Sequence, residues 1–285
     1  MIQSMTGYGK AVVELPLKKV TVEIKTLNSK NLDLNVRVPS FYREKELKIR
    51  SKLSRQLVRG KIDFSIFVES TGSETTTLIN KEVVNNYIDQ LREIAVTSPE
   101  NTLEIAMRLP DALKTEREQL DEDQWIEIDK TIDEAIVKVL KFRDDEGQVL
   151  KQDFVNRIQA IQQLSEQVVE LDEERLQKMR EKLEKAILEL KQTVDENRFE
   201  QELVYYLEKL DITEEKVRLN NHLDYFLQEL NGEVSNGKKL GFISQEIGRE
   251  VNTTGSKSNF APMQKIVVQM KDELEKIKEQ LLNVL

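Results

Sequence analysis

The sequence has 285 residues and no cysteine, and it is 33% charged and 39% hydrophobic. Its length allows one large domain or two ordinary ones, and the lack of cysteine excludes disulfide staples, thiolate nucleophiles and cysteine-ligated zinc. The formal charge of −9 hides an asymmetry: residues 1–72 hold 14 Lys/Arg against 7 Asp/Glu, and the remainder holds 29 against 45, so the two segments suit different partners. No run of about eighteen apolar residues exists. MIQSMTGYGK lacks the apolar region of a secretory signal. A membrane role is therefore not expected, and the lack of cysteine fits a reducing compartment.

The first 72 residues alternate. Ile2–Val13 and Lys18–Leu27 are predicted strands around Leu15-Pro16-Leu17, with Val20, Val22 and Ile24 on one face. Asn28–Asn31 is a turn. Leu32, Leu34, Val36 and Val38 alternate until Pro39 stops the strand. Ser40 is the expected N-cap of a helix over 41–58, closed by Gly60, and Lys61–Glu69 is a fourth strand. On that helix Tyr42, Ile49, Leu53 and Leu57 share one face, and Lys48, Lys52, Arg55 and Arg59 repeat at 4, 3, 4 spacing on another. Such a stripe repels itself unless something anionic neutralises it. It therefore suits a phosphate backbone, although a solvated helix face has the same pattern. Aromatics for base stacking are sparse, and Tyr8, Phe41, Tyr42, Phe64 and Phe67 are expected in the core.

The polar segment 71–77 marks a domain boundary. Helices are predicted near 80–95, 101–108 and 123–143. Residues 148–231 contain neither Gly nor Pro. Within them Phe154, Ile158, Ile161, Leu164, Val168 and Leu171 follow helical spacing, which Met179, Leu183, Ile187 and Leu190 resume. This predicts a long helix or an antiparallel hairpin with coiled-coil character. Asn231-Gly232, Asn236-Gly237 and Gly241 mark a loop. Leu240–Thr253 is helical, Thr253-Thr254-Gly255-Ser256 breaks it, and Met263–Leu285 is a terminal amphipathic helix. The fold class is α+β, with a small sheet-and-helix domain over 1–72, a helical connector over 73–147, a long hairpin or coiled coil over 148–210, and a helical domain over 211–285.

Two constellations carry chemistry. In the first, Asp211, Glu214 or Glu215, Arg218 and His222 stack on one helical face. Carboxylates can hold a hard divalent cation, Arg218 can clamp a phosphate, and the lone imidazole can move a proton. A surface ion-pair ladder has the same spacing. In the second, Glu246 and Glu250 lie four residues apart beside Arg249, and Gly255-Ser256-Lys257-Ser258 offers hydroxyls, an ammonium and backbone donors suited to phosphate. Its ordinary alternative is a helix C-cap and a polar loop. A single histidine excludes a two-histidine ribonuclease within one chain, and no Walker loop, Rossmann fingerprint or H-E-x-x-H motif occurs.

Ser4-Met5-Thr6-Gly7-Tyr8-Gly9, the segment Glu23 to Leu32, Arg59-Gly60-Lys61, Asp145-Glu146-Gly147 with Leu150, Asp211-Ile212 with Glu214-Glu215, Arg218-Leu219 and His222 together resemble the YicC/YloC family. The most specific match is Phe242 to Thr253 with Gly255-Ser256-Lys257-Ser258, and the resemblance covers essentially the whole chain. Ile247-Gly248 stands where Leu-Asn is usual, and Lys30 where Arg is frequent. The resemblance implies a bacterial cytoplasmic endoribonuclease acting on RNA with a divalent metal, Mg or Mn, in a homo-hexamer that encloses the RNA. On that basis Asp211, Glu214, Glu215, Glu246 and Glu250 are the expected metal ligands or bases, and His222 the proton carrier. Arg249 and Lys257 would join Glu246 and Glu250 in catalysis. Lys48, Lys52, Arg55, Arg59, Arg218 and Ser256 would contact RNA. The competing expectations are a non-catalytic RNA-binding ring that presents RNA to other nucleases, and a plain coiled-coil scaffold.

Overall fold

A computed structural model describes residues 2–71, 77–95, 98–115, 121–189 and 196–285. The alternating segments form a four-stranded sheet from β1 (Gly7–Leu15), β2 (Lys18–Leu27), β3 (Leu32–Arg37) and β4 (Gly60–Ser70), in the order β1-β2-β4-β3. All pairings are antiparallel except β3 with β4. That parallel pair requires a crossover. A 3-10 turn (Ser40–Lys45) followed by α1 (Glu46–Leu57) supplies it. The expected helix over 41–58 therefore opens as a tighter turn, with Pro39 in the cap position and no side-chain cap from Ser40. Tyr42, Ile49, Leu53 and Leu57 are buried against the sheet, as their spacing predicts.

The alternation buries Val20, Val22, Ile24, Ile62, Phe64 and Ile66 on one face. Two of the expected core aromatics lie elsewhere. Tyr8 is 41% and Phe67 53% exposed. Both stand at exposed positions of the alternation, on the face away from α1. Tyr42 and Phe64 are buried, and Phe41 is partly so.

The dominant element is α4 (Glu122–Glu189), a single helix of 68 residues, about 100 Å long at 1.5 Å per residue. Its first part lays Trp125, Ile128, Ile132, Ala135, Ile136 and Val139 beside α1 on the same sheet face. Further along, Phe154, Ile158, Ile161 and Val168 enter a second core. The expected helix near 123–143 and the long helix from 148 are thus one element, and the expected division at 147/148 falls inside it. Gly147 does not break the helix, because a mid-helix glycine costs only about 1 kcal/mol. Its absent side chain also admits the N-terminal segment: a Cβ there would lie 2.1 Å from the Ile2 carbonyl oxygen.

The rest of the second core comes from α6 (Thr213–Leu230), α7 (Gly237–Lys257) and α8 (Ala261–Leu281). α6 and α7 form a hairpin, and α8 packs along α4 and α7. Between α4 and α6 lies α5 (Glu196–Lys209). A smaller unit inserts before α4: β5 (Thr77–Ile79), α2 (Lys81–Ile94), α3 (Pro99–Arg108) and β6 (Leu113–Thr115), around Val84, Ala106 and Ala112. Most of the expected 71–77 boundary and Leu190 lie outside the described residues. Among the described residues, no helix is long and apolar enough to cross a membrane.

One antiparallel bridge, made of two hydrogen bonds, binds these parts together. Ser4 bridges Val284, the Met5 amide donates to the Asn283 carbonyl at 2.8 Å, and the Leu285 amide donates to that of Gln3 at 3.0 Å. At the same junction Arg143 of α4 is 1% exposed. Its guanidinium donates to the carbonyls of Leu57 at 3.0 Å and of Met5 and Arg59 at 3.3 Å. Burial pushes this group down to about 10, still protonated at neutral pH. Arg143→Met keeps apolar bulk but leaves those buried carbonyls without a donor. We expect a loss of about 3 kcal/mol in urea denaturation, with partial recovery in Arg143→Lys.

Candidate functional site

Half of the expected basic stripe, Lys48 and Lys52, faces α4, and Arg59 lies beyond the end of α1. Packing both helices on one sheet face brings Lys48 to 3.3 Å and Lys52 to 2.7 Å from Asp129, and Lys52 to 2.9 Å from Asp133. Lys45 adds a 2.7 Å pair with Glu122. Burial is the largest single influence and works against both charges of the Lys52–Asp129 pair, but hydrogen bonds and charge attraction together, with Asp133 also on Lys52 and Lys48 also on Asp129, outweigh it. Lys52 is raised and the Asp129 carboxyl lowered from their ordinary values. The anion that neutralises half of this stripe is therefore α4 itself. Arg59 donates to the Ser29 carbonyl at 3.1 Å. Arg55 is exposed and makes no ion pair among the described residues. A depressed carboxyl contributes stability above its unfolded pKa, and that contribution is lost as pH falls through the folded one. Asp129→Asn should therefore flatten the decline of melting temperature below about pH 4.

At the far end of α4, the first constellation divides between faces. Asp211 precedes α6 rather than lying on it. Its carboxylate accepts from the Thr213 hydroxyl at 2.7 Å and the Thr213 amide at 3.2 Å, which holds it below the usual carboxylate range. Glu214 pairs with Arg218 on the exposed side. Glu215 points inward and is 4% exposed. One of its oxygens receives Lys257 at 2.7 Å, and Lys257 also donates to the Asp211 carbonyl at 2.8 Å. The other Glu215 oxygen is buried and has no hydrogen-bond partner among the described residues. Asp211, Glu215 and Lys257 thus come together across the α6–α7 ends.

Three residues not anticipated from the sequence complete this junction. Buried Arg175 of α4 donates to Asp172 at 2.9 Å, to the Leu210 carbonyl at 3.0 Å and to the Lys257 carbonyl at 3.3 Å. Lys216 reaches the second Asp172 oxygen at 2.8 Å. A signal was present: position 175 continues the apolar series 161, 164, 168, 171, so a cation there needs a buried partner.

The predicted break at Thr253–Ser256 does not occur. α7 continues through it to Lys257. Gly255 is a packing contact rather than a cap, since a Cβ would lie 2.9 Å from Val267 of α8. Ser256 donates to the Thr253 carbonyl at 2.9 Å, and buried Ser258 to that of Thr254 at 2.6 Å. The expected phosphate loop is therefore the last turn of a helix. There the dipole presents carbonyls and disfavours an anion.

The remaining residues meet in the α6–α7 hairpin. Glu215 with Lys257 at one end, and Glu229 with Lys239 at 2.6 Å near the other, set an antiparallel register. It places His222 level with the turn from Glu246 to Glu250. His222 is half-buried, Glu246 and Arg249 are exposed, and Glu250 is 5% exposed. None of these four makes an ion pair among the described residues. The five expected metal ligands do not form one centre within a chain. Asp211, Glu214 and Glu215 are engaged by Thr213, Arg218 and Lys257, which leaves Glu246 and Glu250. Among the described residues, no three His, Cys, Asp or Glu side chains gather closely enough to hold a metal ion.

Lys257→Met strands the buried Glu215 carboxylate and should cost about 3 kcal/mol in chemical denaturation. Pairing it with Glu215→Leu should restore much of that loss.

Residues 2–152 match the family described as Endoribonuclease YicC-like, N-terminal region, and residues 165–285 match Endoribonuclease YicC-like, C-terminal. Over 293 residues the chain is 33% identical to a protein of Clostridioides difficile named Probable endoribonuclease YicC. Over 287 residues it is 29% identical to a Haemophilus influenzae protein of the same name. Both comparisons cover 100% of this chain and 100% of the relative.

Proposed function

Because the chain belongs to the YicC-like endoribonuclease family, we propose that it is a cytoplasmic endoribonuclease that hydrolyses phosphodiester bonds within single-stranded RNA and works as a homo-hexamer. The observation that carries the reading is the α6–α7 hairpin. It sets the chain's one imidazole level with Glu246 and Glu250, two carboxylates without an ion-pair partner among the described residues.

These groups suit hydrolysis. A carboxylate of the pair takes a proton from the attacking water as its oxygen bonds to phosphorus. His222 gives a proton to the leaving oxygen as the old P–O bond breaks. Arg249 lies on the same turn as the carboxylates, and Arg218 one turn from His222. Both cations offset charge gathering on the phosphoryl oxygens. Dependence on a divalent cation, Mg or Mn, belongs to the proposal on donor chemistry: carboxylate oxygens are the ligands such ions prefer. Glu246 and Glu250 alone are too few, so the other ligands would come from RNA or a second copy of the chain.

The test is cleavage of end-labelled single-stranded RNA by the purified protein, with Mg or Mn and with chelator. His222→Ala and Glu250→Gln should each lower cleavage about 100-fold or more while RNA affinity is retained, and chelator should abolish it. Equal cleavage by both variants would place the chemistry elsewhere. Tight binding by the unaltered protein without cleavage would favour a non-catalytic RNA-binding ring.

A further inference from the structure

The sheet has two faces, and only one is used by the core. Across the other, the register lines up Tyr8, Lys25, Asp63 and Asn35 in one row and Lys10, Glu23, Ser65 and Arg37 in the next. Phe67 stands two residues further along β4. Between the rows lies a groove of about 410 Å³ lined by Glu23, Lys25, Arg37, Asp63, Ser65 and Phe67, among others. This is within the range of small-ligand sites, which begins near 300 Å³. Exposed Phe67 lines it, and exposed Tyr8 stands beside it on β1, with Lys25 Nζ 5.9 Å from the ring centroid. Tyr8 and Phe67 are two strands and four residues apart, roughly 16 Å by ordinary strand spacing and rise.

An exposed phenyl ring on a sheet costs apolar surface unless something covers it. The polar groups around it narrow the choice of cover. Arg37 forms no ion pair among the described residues, and it stands on β3 at the sheet edge. Glu23 is held ionised by Lys25 at 3.1 Å, with the Tyr8 hydroxyl as a second donor. Asp63 accepts from Asn35 at 2.8 Å. Carboxylates in the floor repel phosphate but accept from the amino and imino N–H groups of nucleobases. Cations at the rim suit the sugar-phosphate backbone. The flat apolar faces of Phe67 and Tyr8 suit stacking.

We propose that the open face of the N-terminal sheet is a single-stranded RNA-binding subsite, in which bases stack on Phe67 and Tyr8, meet Glu23 and Asp63 edge-on, and leave their phosphates to Arg37. The proposal rests on the endoribonuclease reading above and adds a place where substrate is gripped away from the α6–α7 hairpin. The α1 stripe is a weaker grip, because α4 neutralises Lys48 and Lys52.

The experiment measures fluorescence anisotropy of a short labelled single-stranded RNA with the full-length protein and with Phe67→Leu, Tyr8→Ala and Arg37→Ala. Phe67→Leu keeps apolar bulk at an exposed position, so the fold is retained and a melting curve checks it. Each aromatic variant should weaken binding about tenfold, with KM raised and kcat at saturating RNA unchanged. Arg37→Ala should reduce the slope of log Kd against log salt by about 0.7. Unaltered protein that neither binds nor cleaves RNA would remove the endoribonuclease reading and this subsite with it. RNA cleavage by the unaltered protein, with affinities unchanged in all three variants, would overturn the subsite alone. So would a change of oligomeric state in light scattering without a change in affinity, which would make the face a contact between copies.

Discussion

Arg143 is charged and buried, and among the described residues it has no carboxylate partner. Its hydrogen bonds go to the carbonyls of Met5, Leu57 and Arg59. Two of those carbonyls lie where α1 ends, at the negative pole of a helix, so the charge is partly compensated there. The contact sets where α4 lies along the sheet. That placement brings Asp129 and Asp133 opposite Lys48 and Lys52. Because α4 is unbroken, it also sets where the helix delivers its far end. There buried Arg175 also donates to carbonyls, those of Leu210 and Lys257, but with Asp172 as a carboxylate partner. Two buried guanidiniums, roughly 48 Å apart along one helix, tie it to the sheet domain and to the α6–α7 hairpin.

Much of this architecture was legible beforehand. Period-two alternation located the strands of the sheet, and the long Gly- and Pro-free stretch announced an unusually long helix. Glycine misled twice. Gly147 and Gly255 are punctuation by composition, but in the fold each is a point where another segment packs too closely for a Cβ. A one-dimensional pattern cannot separate these roles. The aromatics failed for a related reason. Alternation says that one side of a strand is buried without saying that the other is empty, so Tyr8 and Phe67 were assigned to a core they do not enter.

The candidate site was less legible than the fold, because charge type shows in a sequence and charge pairing does not. Glu214, Glu215, Glu246 and Glu250 look alike as letters. In the structure one is a surface partner of Arg218, one is buried on Lys257, and two are left without an ion pair among the described residues. Lys48 and Lys52 likewise read as free cations until α4 lies beside them. The net charge of each half therefore overstated what is available to an RNA strand. Within the sheet domain the free cations to look for are those outside the α1–α4 contact.

The pairing of Ser4 with Val284 has a consequence for biogenesis. About 280 residues separate the two sides of this bridge, so the Ser4 segment is synthesised long before the residues it pairs with. Until then the Met5 amide lacks its partner carbonyl on Asn283. The sheet and α1 can assemble early from local contacts, but their seal to the rest waits for synthesis to reach residue 285. Although the two halves match separate family descriptions, the bridge takes one side from each. Cutting the chain near residue 152 would leave each half with an unfinished edge.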